Sequence, residues 1–259
     1  MPKKYYLKVT FLGTGTSQGI PVIGSTHPVC LSKNYKDKRL RVSVLVEWEN
    51  YTYVIDCGPD FRTQMLRANC NRIDGVIFTH EHADHTAGLD DIRPYFFRQG
   101  DIPIYAHKRV LGELRRRFDY IFATENKYPG VPNVIENEVK NAPFMLQNMA
   151  VIPIEGFHYK LQVFGYRFGN FAYITDMKTI PKVELQKLKN LDVLVINALR
   201  EEEHISHFNL EQALEVITIL RPKKAYLTHI SHHLGFHDAV QANLPENVFL
   251  AYDELEIEL

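Results

Sequence analysis

The stretch THEHADHTAG (79–88) places His80, His82, Asp84 and His85 within one short segment. His80 and His82 are two apart, so an extended chain points them the same way. Asp84 and His85 are adjacent and diverge unless the chain turns. An apolar run precedes the four and a helical pattern follows. A strand-to-helix turn therefore lets them divide between two neighbouring metal positions. Imidazole and carboxylate are ligands for zinc, and also for manganese or iron. A metal pair needs more than four ligands. Three later segments supply ligand-type residues at strand ends: His158 in GFHYK, Asp176 in YITDM and His229 in LTHIS.

The elements that must carry these residues read as follows. YYLKVTFLG (5–13), RVSVLVEWE (41–49) and YTYVIDCG (51–58) are strands by their β-branched and aromatic content, with a tight turn at Asn50. PDFRTQMLRANC (59–70) is a helix with Phe61, Met65 and Leu66 on one face. DGVIFTH (74–80) is a short strand ending in histidine. HTAGLDDIRPYF (85–96) reads as helical until Pro94. A strand (102–107) and a helix (109–122) follow, and the Asn-, Pro- and Glu-rich stretch 123–150 reads as a loop or small insertion near a site entrance. Strands at 149–158, 164–169, 171–176 and 192–199 come next. Asn209 is expected to cap the helix LEQALEVITIL, with Gln212 as its box partner, and KAYLTHI and NVFLAY are the last strands. Strands first, then strands interleaved with helices, imply a layered α/β domain.

In order, VIDCGPD, THEHADH, FHYK, ITD and THIS resemble the five successive motifs of the metallo-β-lactamase superfamily, over residues 54–231. The resemblance implies one domain over residues 1–259, folded as a four-layer αββα sandwich with metals at one edge. It implies that His80, His82 and His158 hold one metal, that Asp84, His85 and His229 hold the second, and that Asp176 bridges them. Asp56 would orient the ligand loop from behind, so Asp56 and Asp84 count among the catalytic groups. Two divalent ions are implied, zinc by default and manganese as the alternative for a carboxylate-containing pair. Two such ions lower the pKa of a bridging water to about 7 or below, which makes a hydroxide nucleophile.

The branch is read from EEEHISHFNLEQAL (201–214). Its His207-Phe208-Asn209-Leu210 is similar to the H-x-x-L of the phosphodiesterase branch, where a non-ligand histidine binds phosphate and acts as general acid. His204 is the weaker candidate. FLGTGTSQGIPVIG, the H-x-x-L-x-x-x-GY at 158–166, LTHISH and YDELEIEL further resemble PhnP-type phosphoribosyl cyclic phosphate phosphodiesterases, except that Glu254 stands where glycine is usual. The expected reaction is hydrolysis of a small phosphodiester, including cyclic ones. Relatives of this kind are commonly homodimers.

Charge and composition weigh the rivals. A net charge of −1 argues against a nucleic-acid partner. A tRNA 3′-processing endonuclease of this fold should carry a Gly/Pro-rich arm with basic flanks, and 123–150 has few basic groups. A thioesterase of the glyoxalase II kind should add helices after the last metal histidine. A metal-bearing interaction protein should have lost ligands, and all seven are present. RRRF (115–118) reads as a solvated helix face. Arg93 is read either as a phosphate contact or as the partner of Asp90 or Asp91. His107, His233 and His237 are read as structural or surface residues. No apolar stretch approaches ~18 residues, the N-terminal MPKKYYLKVTFLG has no signal core, and Cys30, Cys57 and Cys70 form no disulfide framework, so no membrane and a cytoplasmic location are expected.

GSTHPVCLS (24–32) stands apart. PhnP-type relatives carry three cysteines here that clamp a structural zinc with the second histidine of THISH. This chain has Ser25, His27 and Cys30 at those positions and His232 at the fourth. A neutral hydroxyl is a poor zinc ligand. The expectation is a metal-free loop rather than a residual His27–Cys30–His232 site.

Overall fold

The computed structural model describes residues 6–259. Met1–Tyr5, which begin both the segment read as lacking a signal core and the first strand, lie outside the described residues. Strands β1 (Leu7–Gly13), β2 (Ser43–Trp48), β3 (Tyr51–Ile55), β4 (Gly75–Ile77), β5 (Ile102–Ala106) and β6 (Val134–Glu138) belong to one sheet. Strands β7 (Phe144–Leu146), β8 (Met149–His158), β9 (Leu161–Phe168), β10 (Phe171–Tyr173), β11 (Val193–Asn197), β12 (Lys224–Thr228) and β13 (Val248–Leu250) form the other. A last strand, β14 (Glu256–Glu258), returns to the first sheet. The orders are β14-β1-β2-β3-β4-β5-β6 and β13-β12-β11-β10-β9-β8-β7. In each sheet an antiparallel meander (β1-β2-β3; β7-β8-β9-β10) continues into parallel strands whose crossovers carry helices.

Three buried clusters make this a four-layer αββα sandwich. The central one joins inward residues of both sheets, including Phe11, Val46, Trp48 and Tyr53 against Phe164, Tyr166, Phe168 and Tyr173. A second packs Ala213, Ile217 and Leu220 of the helix Leu210–Leu220 on the outside of the second sheet. The third packs Phe61 and Met65 with Val110, Leu111 and Leu114 outside the first sheet. Alternation along each strand divides residues between these layers. The helix Leu210–Leu220 starts as expected: the Asn209 side chain accepts from Gln212 N at 3.0 Å, and Gln212 returns a bond to Asn209 N.

Two local readings are corrected. Pro94 does not stop a helix: it lies in the first turn of the helix Arg93–Gln99, where its missing N–H costs nothing. The stretch 123–150 is not all loop, since β6 and β7 lie in it and extend both sheets. Charged and amide residues hid β6, whose pattern is only partly buried. The RRRF face is ion-paired, Arg115 to Glu136 and Arg116 to Glu113, but Arg117 also donates to the Glu81 carbonyl at 2.6 Å. Arg93 donates to both Asp90 oxygens at 2.7 and 2.8 Å.

The chain ends are joined by a buried network. Arg39 donates to Thr14 Oγ1 and the Ala251 carbonyl, and Thr14 donates to Asp253 at 2.8 Å. Just beyond, Glu254 holds φ +71, a left-handed conformation unfavourable for any residue with a Cβ. That explains why a glycine is usual there. Its weak ion pair with Arg67, 3.6 Å apart and exposed, offsets little. Glu254→Gly is expected to raise unfolding stability by about 0.5–1 kcal/mol; a lower urea midpoint would show that the turn is not strained.

Candidate metal centre

The site lies where strands of both sheets end. His80 follows β4, His158 ends β8, Asp176 lies after β10, and His229 follows β12. Asp56 at the end of β3, Asp176 and His229 all have positive φ, +66, +57 and +55. The chain thus turns sharply at each strand end and swings the side chain into the gap between the sheets. Asp and His both adopt this conformation more readily than most residues with a Cβ.

His82 stands at the N-cap position of the short helix Ala83–Thr86, which carries Asp84 and His85. This helix packs unusually close to the loop after β3. Cys57 N donates to His85 O at 2.8 Å, and Gly88 N donates to Cys57 O at 2.9 Å. A Cβ on Gly58 would overlap the Asp84 carbonyl, so only glycine fits there.

Asp56, fully buried, organises the loop from behind. It accepts from Thr79 N and Thr79 Oγ1, both at 2.8 Å, and from His85 Nδ1 at 2.6 Å. The Thr79 hydroxyl in turn accepts from His80 Nδ1 at 3.0 Å. One carboxylate therefore sets two imidazoles, His85 directly and His80 through a hydroxyl, and both present Nε2 to the site. His158 is set separately, donating from Nδ1 to the Ser206 carbonyl at 2.9 Å.

Asp176 sits between the imidazoles. Its Oδ1 lies 3.0 Å from His229 Nε2, and its Oδ2 lies 3.3 Å from His85 Nε2 and accepts from Thr175 Oγ1 at 2.6 Å. Asp84 Oδ2 is 3.3 Å from His85 Nε2. The ligand atoms of Asp84, His85, Asp176 and His229 all fall within 4.8 Å of one another. His80, His82 and His158 form a ring cluster, with centroids 4.6, 5.1 and 5.9 Å apart.

His207 lies deeper in the cluster than a non-ligand role requires. Its ring is 4.4 Å from that of His158 and stacks on His229 at 4.6 Å. With His158 and Asp176 it forms the second set of close ligand atoms among the described residues, a set that leaves out His80 and His82. The cause is local: the backbone of Phe208, next to it, is tied to Met177 and Leu199, which brings the His207 loop against Asp176.

The electrostatics are those of a cation site. Burial alone would push the His85 imidazole down, but Asp176, Asp84 and Asp56 hold it well above the usual histidine range. Burial would raise Asp176, and His229 with His85 hold it well below the usual carboxylate range. Burial and the neighbouring His229 push His207 down to about 2. His80 Nε2, His85 Nε2, His207 Nδ1 and both His229 nitrogens are buried with no hydrogen-bond partner. Orphaned polar atoms at this density call for a bound ion or water, and divalent ions fit the donor set of imidazoles and carboxylates.

The residue pattern of a family now agrees with this geometry. The beta-lactamase superfamily domain matches residues 51–230. The chain belongs to the metallo-β-lactamase superfamily. Among superfamily proteins of known structure, a diphosphatase from the PhnP family is 37% identical and superimposes with a TM-score of 0.92, covering 98% of this chain and 97% of that one. An octanoyltransferase of Porphyromonas gingivalis is 39% identical over 253 residues, 96% of this chain and 51% of that protein. A ribonuclease Z of Methanococcus maripaludis is 25% identical over 232 residues, 84% of this chain and 65% of that protein. The chain thus spans about half the length of the octanoyltransferase.

Thr79, Thr175 and Thr228 are not among the site residues expected from the sequence. Each directly precedes a strand-end ligand candidate and is buried. The repeated T-H, T-D, T-H pattern was the available signal. His204 accepts from Ser206 N at 3.3 Å and stays at the edge, while His107 caps the helix Lys108–Arg117 and His237 lies 3.1 Å from Arg39. No helix among the described residues is long and apolar enough to cross a membrane.

The loop 24–32 is packed differently. His27 Nδ1 accepts from Val29 N at 3.3 Å, Cys30 is buried beside Ile20 and Val29, and Ser25 Oγ accepts from His27 N at 3.2 Å. His27, Cys30 and His232 are not among the close ligand sets of the described residues.

Two outcomes are expected. Asp56→Asn should fold normally and lower divalent-metal affinity 10- to 100-fold, measured by competition with a chelating dye; unchanged affinity would remove the orienting role. Elemental analysis of the wild-type protein should give two divalent ions per chain, whereas three would mean that the loop 24–32 binds one as well.

Proposed function

We propose that this protein is a two-metal hydrolase of phosphoric esters, with small phosphodiesters, cyclic ones included, as its main substrates. The observation that carries this reading is Asp176, whose carboxylate belongs both to the close ligand set of Asp84, His85 and His229 and to the one that contains His158 and His207. His80, His82 and His158 would hold one metal, Asp84, His85 and His229 the second, and Asp176 would bridge. Zinc suits the imidazole-rich set and manganese the carboxylate-containing half. When bound, the two ions supply a water-derived nucleophile and neutralise charge on the attacked phosphoryl group. The chain's own part is to hold the imidazoles of His80, His85 and His158 in fixed tautomers and to place His207 beside the reacting phosphorus.

In this reading His207 binds a phosphoryl oxygen, whose negative charge raises the imidazole from its depressed value so that it can protonate the leaving oxygen. Its position between His158 and His229 and its unpartnered Nδ1 support the role. The likeness to a PhnP-family diphosphatase supports phosphoryl chemistry and adds diphosphates to the substrates worth assaying. The ribonuclease Z likeness favours a nuclease less, because Arg115 and Arg116 are spent on Glu136 and Glu113, and phosphate contacts require free cations.

His207→Ala is expected to keep two metals and to lose kcat about 10²- to 10⁴-fold on diesters with basic leaving groups, and much less on bis(p-nitrophenyl) phosphate. Equal losses on both would remove the proton-donor role. Loss of a metal would make His207 a ligand instead.

A further inference from the structure

The hairpin that carries His158 also builds a cavity beside the metal centre. His158 ends β8, Leu161 begins β9 directly opposite it, and Tyr159 and Lys160 make the two-residue turn between them. The cavity, of about 540 Å³, is lined by His82 and His158 on its inner side and by Tyr159, Lys160, Leu161 and Ile205 toward solvent. That volume suits a nucleoside-sized group.

Three observations point to an occupant with a flat apolar ring. Tyr159 and Ile205 are large apolar side chains left 55% and 67% exposed at the cavity mouth, one on the His158 hairpin and one on the His207 loop. Tyr159 holds φ +58, where a bulky residue is a true outlier and glycine or asparagine would be unstrained. Keeping tyrosine there has no packing reason, since its ring is exposed. Lys160 Nζ lies 5.3 Å from the Tyr159 ring centroid, which braces the aromatic side chain against the turn.

We propose that Tyr159 and Ile205 form a ring-binding subsite that receives the planar, apolar arm of the substrate while its phosphoryl group sits at the metal centre. The inference rests on the phosphoric-ester reading and narrows it to esters bearing a nucleobase or an aryl ring. Tyr159 stacks on the ring and Ile205 closes the other side. Ring-free esters reach the metals without this contact.

The test uses the metal-loaded protein and its Tyr159→Asn, Tyr159→Phe and Ile205→Ser variants. Asparagine relieves the strained backbone, so a folding failure is not expected from that change. Calorimetric titration with adenosine 5′-monophosphate, phenyl phosphate and ribose 5-phosphate reads binding without turnover. Tyr159→Asn and Ile205→Ser should weaken the ring-bearing ligands about tenfold and leave ribose 5-phosphate unchanged, while Tyr159→Phe binds as wild type does. Tighter binding of the adenosine or of the phenyl ligand tells which ring the subsite prefers. In parallel, KM for 2′,3′-cyclic AMP should rise in Tyr159→Asn with kcat retained. Equal effects on all three ligands, or no effect on any, overturn the subsite. A protein that hydrolyses no diester yet binds adenosine monophosphate through Tyr159 keeps the subsite and overturns the phosphodiesterase reading.

Discussion

The arrangement depends on the buried carboxylate of Asp56. It receives a backbone N–H, a hydroxyl and an imidazole, and through that hydroxyl it also governs a second imidazole. Burial pushes its pKa up, and the bonds from His85 and Thr79 pull against that shift. A carboxylate so enclosed is tolerable only when each partner is in place. The same requirement fixes His80 and His85, which belong to different proposed metal positions. Both halves of the centre are therefore oriented from one point, and a change there disturbs the two together.

The fold supplies the rest by a simple device. Strands of both sheets stop at one edge, and at three of these ends a residue at or shortly after the stop turns through a left-handed conformation. Asp56, Asp176 and His229 share this feature. Their strands are almost wholly buried, so the strand ends cannot drift. Asn197 adds to the rigidity by bonding both the N–H and the carbonyl of Met177, next to Asp176. Strain at the edge is held by packing in the layers behind it.

Much of this was legible in the residues. Short β-branched runs ending in histidine or aspartate located the ligand candidates, because a strand of this kind can place only its end residue at the edge of a buried sheet. The capping box at Asn209 was legible for the same local reason. What escaped the sequence depended on tertiary contact. Strand β6 carries Glu136, Asn137 and Glu138 and looks like loop until β5 pairs with it. The depth of His207 depends on backbone bonds that Phe208 makes to Leu199 and to Met177, the latter on a different segment of the chain. Pro94 misled because proline both ends helices and begins them, and only the preceding turn decides which.

The central claim is that Asp176 lies between two bound cations held by separate histidine sets. Anomalous X-ray scattering from crystals of the zinc-loaded protein tests it most directly. The account predicts two strong peaks per chain, one among His80, His82, His158 and Asp176, the other among Asp84, His85, His229 and Asp176, with His207 bound to neither. A single peak, or a pair in which Asp176 touches only one ion, would contradict it.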